Sequence, residues 1–456
     1  MPRPSTQPDH GAAPIPGSPR LVASWLAAED GSRRAKWLVL LAVSLWLDLW
    51  IVASIKSGVA PDQHSVYPLF EAGTTRWWND QPLYAGYDGY DIYRYSPSFA
   101  VALTPIAALP TELGGMVWVG LNLGLLLWST WLLLRHVFPH GLAQRHQAAI
   151  LALTALASVR GIWSMQSNAL VFSLVALGAV SAARKRWWTA ALLLAAPVFI
   201  KLWPLAAALL MIACWPRRLA WRFAVAAAAI ALAPFLTKPP DVVCQHYGAW
   251  WAALVGPFQD RWPGFRDVWT IWEQLHAPVS RIGYLTLQLG GAGLALALCL
   301  WQRWRGLPAR HVLTTVLGAW VCWQLTFGPG AERNTFGLIA PLISWGCVTA
   351  WVEGKRRLIA SLAYGLIAVF SFGYFERALI TDAPWVAAVL PVGALIYSFW
   401  FVSHALKWKT PCESSQEPSA LSSVAKTPTA RAAASISRRS QADDNLPCIS
   451  PLARSR

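Results

Sequence analysis

The sequence predicts an all-α fold, a polytopic transmembrane helical bundle of about 10–13 membrane segments. Three observations predict it. Apolar runs long enough to cross a bilayer recur from residue 37 to residue 405, in a chain of 456 residues that is 55% hydrophobic. Charged residues make up only 13% of the chain, against about a quarter in a soluble domain, and the mean hydropathy is +0.39. The chain also carries 29 tryptophans, a residue that gathers at membrane–water interfaces.

The formal net charge of +16 does not signal a nucleic-acid partner. The basic residues stand in short clusters between apolar runs: Arg33, Arg34 and Lys36; Arg184 to Arg186; Arg217, Arg218 and Arg222; Arg303, Arg305 and Arg310; Lys355 to Arg357; Lys407 and Lys409. Such clusters orient helices with their basic ends in the cytoplasm and meet anionic lipid. The seven cysteines are scattered, with no Cys-x-x-Cys pair and no metal-ligand spacing, so neither a disulfide framework nor a metal site is expected.

Residues 1–36 are polar and Pro-rich, which predicts a disordered cytoplasmic arm with no cleavable signal. The first span is predicted at 37–55, with Asp48 inside it, a position where an acid is usually functional or paired. A polar loop follows at 56–96. Residues 97–110 form a short, Pro-bounded apolar segment, and 114–134 a full span. Within 147–182, Arg160, Gln166 and Asn168 interrupt the apolar run and divide it into a re-entrant dip, 147–160, and a span, 169–182. Residues 187–215 are apolar except for Lys201, with Pro197 and Pro204 beside it. This is long for one helix and short for two, so a hairpin broken at Lys201 is expected. A span at 221–236 leads to a second polar loop, 237–282. Further spans are expected near 283–301, 311–327, 335–352, 358–375 and 385–404. The Ser/Ala/Pro/Arg-rich segment 406–456 reads as a disordered cytoplasmic tail. The domain organisation is thus one bundle, 37–405, between two arms.

With the basic clusters inside, both large loops, the Lys201 tip and the turn at 328–334 fall on one extracytoplasmic face. Arg135 and Arg145 do not fit, because this scheme places them outside.

The chemistry-bearing residues collect on that face. Asp62, just past the first span, is placed to act as a general base on a hydroxyl; a solvated loop acid is the plain alternative, and Asp80, Asp88 and Asp91 are rivals. Lys201 lies among apolar residues, where an ammonium is costly unless it snorkels or finds an anion such as a lipid phosphate. Arg94, flanked by Tyr93 and Tyr95, suits a phosphate or an interfacial anchor equally. Arg160, Gln166 and Asn168 can bind sugar hydroxyls or phosphate, or simply bridge helices. Glu332 and Arg333, in Gly-Pro-Gly-Ala-Glu-Arg-Asn at 328–334, either line a cavity or brace a turn. His64, His246 and His276 have no metal spacing.

In order, the chain reads a first-loop Asp62, Pro-Leu-Tyr at 82–84, Tyr-Arg-Tyr-Ser-Pro at 93–97, Leu-Asn at 121–122, Gln-Ser-Asn at 166–168 and Lys-Leu-Trp-Pro at 201–204. This series resembles glycosyltransferase family 87, the α-1,2-mannosyltransferase-like membrane proteins that use polyprenyl-phosphate-linked sugars. Members typically show an aspartate after the first span, a Tyr-x-Tyr-Pro-Pro element, a Gly-Gln-x-Asn element and a Lys-x-x-Pro element. Here Met165 precedes Gln166, Ser96 replaces the first proline, and the late His-His stretch of many members is replaced by 327–334, which has no histidine.

The resemblance implies the GT-C architecture in the cell (inner) membrane. It implies an inverting transfer of a mannose-like hexose from a polyprenyl phosphate to an envelope glycan or glycolipid, with no resident cofactor. By the same match Asp62 is the base, Lys201 meets the donor phosphate, and Gln166 and Asn168 line the cavity. Beside the match, the residues themselves put Arg94, Tyr95 and Arg160 in the donor site, with Glu332 and Arg333 taking the place of the missing late histidine stretch. Two alternatives share such substrates. A lipid-linked-oligosaccharide transporter or flippase needs a polar path to both faces. A polysaccharide polymerase or ligase differs in its acceptor.

Overall fold

A computed structural model describes residues 31–86, 93–139, 142–255, 264–277, 279–372 and 384–410. The expected arm and tail lie almost wholly outside these residues, as do Asp88 and Asp91. Among the described residues there are sixteen α-helices, three 3-10 helices and no strand beyond an isolated bridge. Six segments are long and apolar enough to cross a membrane: Arg33–Val59, Thr111–His136, Pro216–Leu236, Arg281–Trp304, Arg333–Glu353 and Trp385–Ala405. Shorter apolar helices fill the space between them.

Helix α1 (Arg33–Val59) begins four residues earlier than the expected span, because Ser32 caps it by accepting from the Ala35 amide at 3.2 Å. The first loop holds α2 (Tyr67–Trp78) and leads to α3 (Pro97–Ala107), which starts on a Ser96 cap and Pro97. At 11 residues α3 rises only about 16 Å, too short to cross. Helix α4 (Thr111–His136) then crosses, and α5 (Gln144–Trp163) returns.

Helix α5 corrects one expectation. The re-entrant dip predicted at 147–160 is a continuous helix of 20 residues, about 30 Å long. Trp46 Nε1 donates to the Leu151 carbonyl at 3.1 Å and Lys56 Nζ to the Trp163 carbonyl at 3.2 Å. The two helices therefore run side by side in the same direction. The short element is α3, and that one change removes the misfit: Arg135 and Arg145 now stand at the same end of the bundle as the other basic clusters. His136, for example, lies within electrostatic reach of Arg135, Arg184 and Arg310. The polar interruption at Arg160–Asn168 misled the reading, since it marks a helix end and not a dip.

The rest follows the apolar periodicity. Helix α6 (Asn168–Ala183) packs on α4 and on α7 (Trp187–Ile200), which is joined at Lys201 to α8 (Leu205–Cys214). Helix α9 (Pro216–Leu232) packs along α7, and the second loop carries α10 (Pro240–Val255) and α11 (Val268–Gln274). The bundle closes with α12 (Arg281–Trp304), α13 (Ala309–Thr326), α14 (Ala340–Glu353), α15 (Arg357–Ser371) and α16 (Val389–Ala405). The Arg333–Glu353 segment is 83% buried and the α12 window 11%, so α14 is central and α12 peripheral.

Thr314 Oγ1 donates to the Val137 carbonyl at 3.0 Å, and Gln302 Nε2 to the Ala405 carbonyl at 3.1 Å. These bonds tie the ends of α4, α12, α13 and α16 together at the basic end. The opposite end is braced by an aromatic cluster in which Phe70 meets Tyr95 at 4.7 Å, Trp118 at 5.4 Å and Phe99 at 5.5 Å, all edge-on.

Asp48 departs from its expected role. It lies near the middle of α1, is exposed on the outward face and makes no hydrogen bond or ion pair among the described residues. An acid at mid-membrane facing lipid costs about 2.5–3.5 kcal/mol on insertion scales. Asp48→Leu is therefore expected to raise the unfolding midpoint of the protein in lipid vesicles, and an unchanged or lowered midpoint would show that the carboxylate is solvated there.

Candidate active site

The site is built around a helix break. Pro197 lies in the last turn of α7 and Pro204 begins the next segment, so no continuous helix passes Lys201. Lys201 adopts an extended backbone (φ −142°, ψ 140°), with its amide bonded back to the Pro197 carbonyl at 2.9 Å. Its ammonium is directed into the bundle, where it donates to Asn168 Oδ1 at 2.9 Å and approaches Gln166 Oε1 at 3.5 Å. Both acceptors are buried, Asn168 at 2% exposure and Gln166 at 8%.

Gln166 and Asn168 reach this position through the α5–α6 turn. Met165 has a left-handed backbone (φ 50°), and its carbonyl accepts from Trp118 Nε1 at 2.9 Å. Asn122 Oδ1 accepts from the Leu170 amide at 3.0 Å and so fixes the first turn of α6. The Leu-Asn element at 121–122 is thus a brace for the amide pair.

The 328–334 turn completes the wall. Gly330 takes a positive φ of 71°, which glycine adopts without a steric penalty. Glu332 begins the 3-10 helix Arg333–Ile339 with a reciprocal cap: its carboxylate accepts from the Thr335 amide, and its own amide donates to Thr335 Oγ1 at 3.1 Å. The second loop is stitched on here, with the Arg266 amide donating to the Ala331 carbonyl at 2.6 Å and Phe265 bridged to Glu332.

Asn334 then links the parts. Its Oδ1 accepts from Arg160 Nε at 3.0 Å and from Ser164 Oγ at 3.3 Å, and its carbonyl accepts from Asn168 Nδ2 at 2.9 Å. Arg160, Asn168, Gln166 and Lys201 are thereby one hydrogen-bonded series. The charges of Glu332 and Arg94 both reach Lys201.

Arg94 is held by its backbone, since Trp250 Nε1 donates to its carbonyl at 3.1 Å and Ser96 bonds the Phe199 carbonyl beside the helix break. Tyr95 is 7% exposed, its ring packed on Phe70, Tyr93 and Phe99; it braces Arg94 within the aromatic cluster. Arg333 is half-buried between Glu332 and Asn334.

Asp62 is exposed in the turn after α1. Its loop is anchored nearby: the Val66 amide donates to the Ser164 carbonyl at 3.0 Å, and Lys56 bonds both Ser65 and the Trp163 carbonyl. Glu71, on α2, feels the charges of Asp62 and Glu112. Asp80 is ion-paired to Lys238 at the loop surface, remote in role from this wall.

Three residues of this arrangement were not singled out from sequence: Asn334, Ser164 and Lys56. Lys56 had a signal, being a lone cation directly after the first apolar run, at the end away from Arg33, Arg34 and Lys36; the structure buries it. Asn334 closes the 328–334 motif but carries no charge to draw notice.

The fold and site together define a helical membrane protein with a cationic, amide-lined polar site at one end of its bundle. The profile of glycosyltransferase family 87 matches residues 93–329, more than half of the chain, and the protein belongs to that family. The matched segment includes Arg94, Arg160, Gln166, Asn168 and Lys201, while Asp62 and 332–334 lie outside it. No curated protein matches the chain. Among solved structures, ArnT from Cupriavidus metallidurans bound to undecaprenyl phosphate is similar at 16% identity and a TM-score of 0.35, over 81% of this chain and 77% of that one.

Two outcomes test the site's construction. Asn334→Leu strips an acceptor from Arg160 and Ser164, and a buried donor left unmet costs about 1–3 kcal/mol. Its unfolding midpoint in detergent is expected to fall, with Asn334→Asp, which keeps an acceptor, closer to wild type.

Burial raises the Glu71 carboxyl above its ordinary range; Thr111 offsets this by donating at 2.9 Å, and Glu112 and Asp62 add to it. A carboxyl raised on folding contributes stability that is full below its unfolded value and is lost as pH rises through the raised value. Thermal unfolding from about pH 4 to pH 7 should therefore show a flatter stability decline for Glu71→Gln than for wild type, with the variant the more stable at pH 7.

Proposed function

We propose that this glycosyltransferase moves a hexose, mannose-like in class, from a polyprenyl-phosphate donor to a hydroxyl of an envelope glycan or glycolipid, with inversion. The observation that carries the reading is the Lys201 ammonium at a helix break, oriented by Asn168 and Gln166 and within the fields of Arg94 and Glu332. A lipid phosphate arriving along the bilayer meets a cation there without leaving the interface.

Asp62 is the base in this reading. Its carboxylate takes the acceptor hydroxyl's proton as that oxygen bonds the anomeric carbon from the face opposite the phosphate. The bond between the anomeric carbon and the phosphate oxygen breaks, and its electron pair leaves with polyprenyl phosphate. Lys201 and Arg94 stabilise the negative charge that builds on this leaving group. The Asp62 turn is tied to the site through Val66 and Ser164, which gives the base a fixed mount.

The polar end of the bundle is read as extracytoplasmic, with both termini cytoplasmic in the cell (inner) membrane. The support is that the basic clusters, Arg135 and Arg145 included, gather at the other end. A transporter would need polar groups along its length. Here the hydrogen-bonded series lies at one end.

The test is transfer of labelled hexose from synthetic polyprenyl-phosphate donors to endogenous glycolipid in proteoliposomes. Asp62→Asn is expected to lower turnover by about 10²–10⁴-fold, with donor retention unchanged. Lys201→Met is expected to weaken donor retention as well. Wild-type turnover in Asp62→Asn sinks the assignment of the base, and no transfer from any polyprenyl-phosphate sugar sinks the donor class.

A further inference from the structure

A second polar feature lies at the opposite end of the bundle. The Arg333–Glu353 segment runs from the active-site turn to Gly354, a rise of about 35 Å for its 3-10 and α-helical parts. Where it ends, a cavity of about 230 Å³ opens between the α14–α15 turn and the last turn of α16. Lys355, Arg356 and Lys407 line it, three fixed cations from two separate elements, against a single carboxylate, Glu353.

The walls are ordered. Arg356 has a left-handed backbone (φ 55°, ψ 30°), uncommon for a non-glycine residue. That conformation turns its side chain to α16, where it donates to Ser403 Oγ and lies over the Phe399 ring at 5.8 Å. His404 is stacked on Trp400 at 5.0 Å with its ring nearly parallel (10°), and Trp408 closes on it edge-on at 5.9 Å. Glu353 Oε2 lies 3.7 Å from the Nδ1 of this histidine, and the charges of Lys355 and Lys407 both reach the carboxylate. One carboxylate against three cations leaves the cavity with a net positive charge, which suits an anion.

The surroundings identify the kind of anion. Phe399, Val402 and Leu406 are exposed on the outward face of α16 next to the cavity. Tryptophan beside such a face marks headgroup depth. A free anion has no use for that apolar strip, whereas an acyl chain does. The volume holds a phosphate with its ester substituents.

The geometry points to a binding site for the phosphate headgroup of one anionic lipid, on the membrane face opposite the glycosyl-transfer site, with its acyl chain along Phe399 and Val402. The site is independent of the proposed donor site and stands whether or not that reading holds.

The experiment uses the full chain in phosphatidylcholine nanodiscs, with short-chain phosphatidic acid added and retained lipid counted by native mass spectrometry. One phosphatidic acid is expected to stay bound to wild type, and K407Q and the R356Q/K407Q pair are expected to lose it, the pair by roughly tenfold or more. The control pair R303Q/R305Q removes the same charge at the same end, outside the cavity, and is expected to retain the lipid. K407Q changes an exposed side chain, so its result stands even if the double variant misfolds. Equal loss in both pairs would reduce the effect to general surface charge and overturn the proposal. So would displacement of the lipid by inorganic phosphate alone, or failure of wild type to retain it.

Discussion

An ammonium inside an apolar bundle is stable only where oxygen acceptors replace its water, and much of this molecule is arranged around that requirement at Lys201. Pro197 lies in the last turn of the helix before it and Pro204 starts the helix after it. The α5–α6 turn supplies its acceptors, Asn168 and Gln166. Those amides are in turn held by Trp118 and Asn122 from α4 and by the Asn334 carbonyl from the distant 328–334 turn. A buried polar network is stabilising only when every member is satisfied. The spacing of α4, α5, α6 and the α7–α8 hairpin is therefore coupled through one charge.

The same network explains how segments far apart in sequence form one wall. Arg160 and Asn334 are 174 residues apart and bonded at 3.0 Å. The second loop is bonded into the 331–332 backbone, and the first loop into the Ser164 carbonyl. Both loops are thus anchored to the elements that orient Lys201, which places the first-loop acid and the late turn on a common scaffold. The opposite end of the bundle is built differently. There cations meet aromatic faces, as the exposed Arg135 does over Trp131 and the half-buried Arg305 over Trp301.

The helical membrane class was legible in the apolar runs, and the break at Lys201 was legible because a charge and two prolines interrupt an otherwise unbroken run. The re-entrant element was misplaced for a physical reason. Arg160, Gln166 and Asn168 look like an interruption in a hydropathy pattern, yet they mark the turn at the end of a full-length helix, while 97–107 is mostly apolar and simply too short. Periodicity reports what a segment can bury, not how far it travels. Asn334 escaped notice because a neutral amide gives no sign of its partners, and its role exists only once a turn near the end of the bundle sequence folds against α5. Tyr95, counted with the donor site, has its ring packed on Phe70, Tyr93 and Phe99, which no sequence pattern shows.

Glu332 shows how one residue can satisfy a structural demand and shape a site at the same time. Members of the family often carry histidines in this late stretch, and the chain has Gly-Pro-Gly-Ala-Glu-Arg-Asn instead. The Glu332 carboxylate accepts from the Thr335 amide, so part of its hydrogen-bonding capacity is spent on starting the 3-10 helix. Its charge still reaches Lys201. A carboxylate fixed in this way is poorly suited to migrate as a base, and well suited to hold Arg333 and Asn334 in register while balancing a neighbouring cation. That division makes the late turn a mount for the site more than a reagent in it.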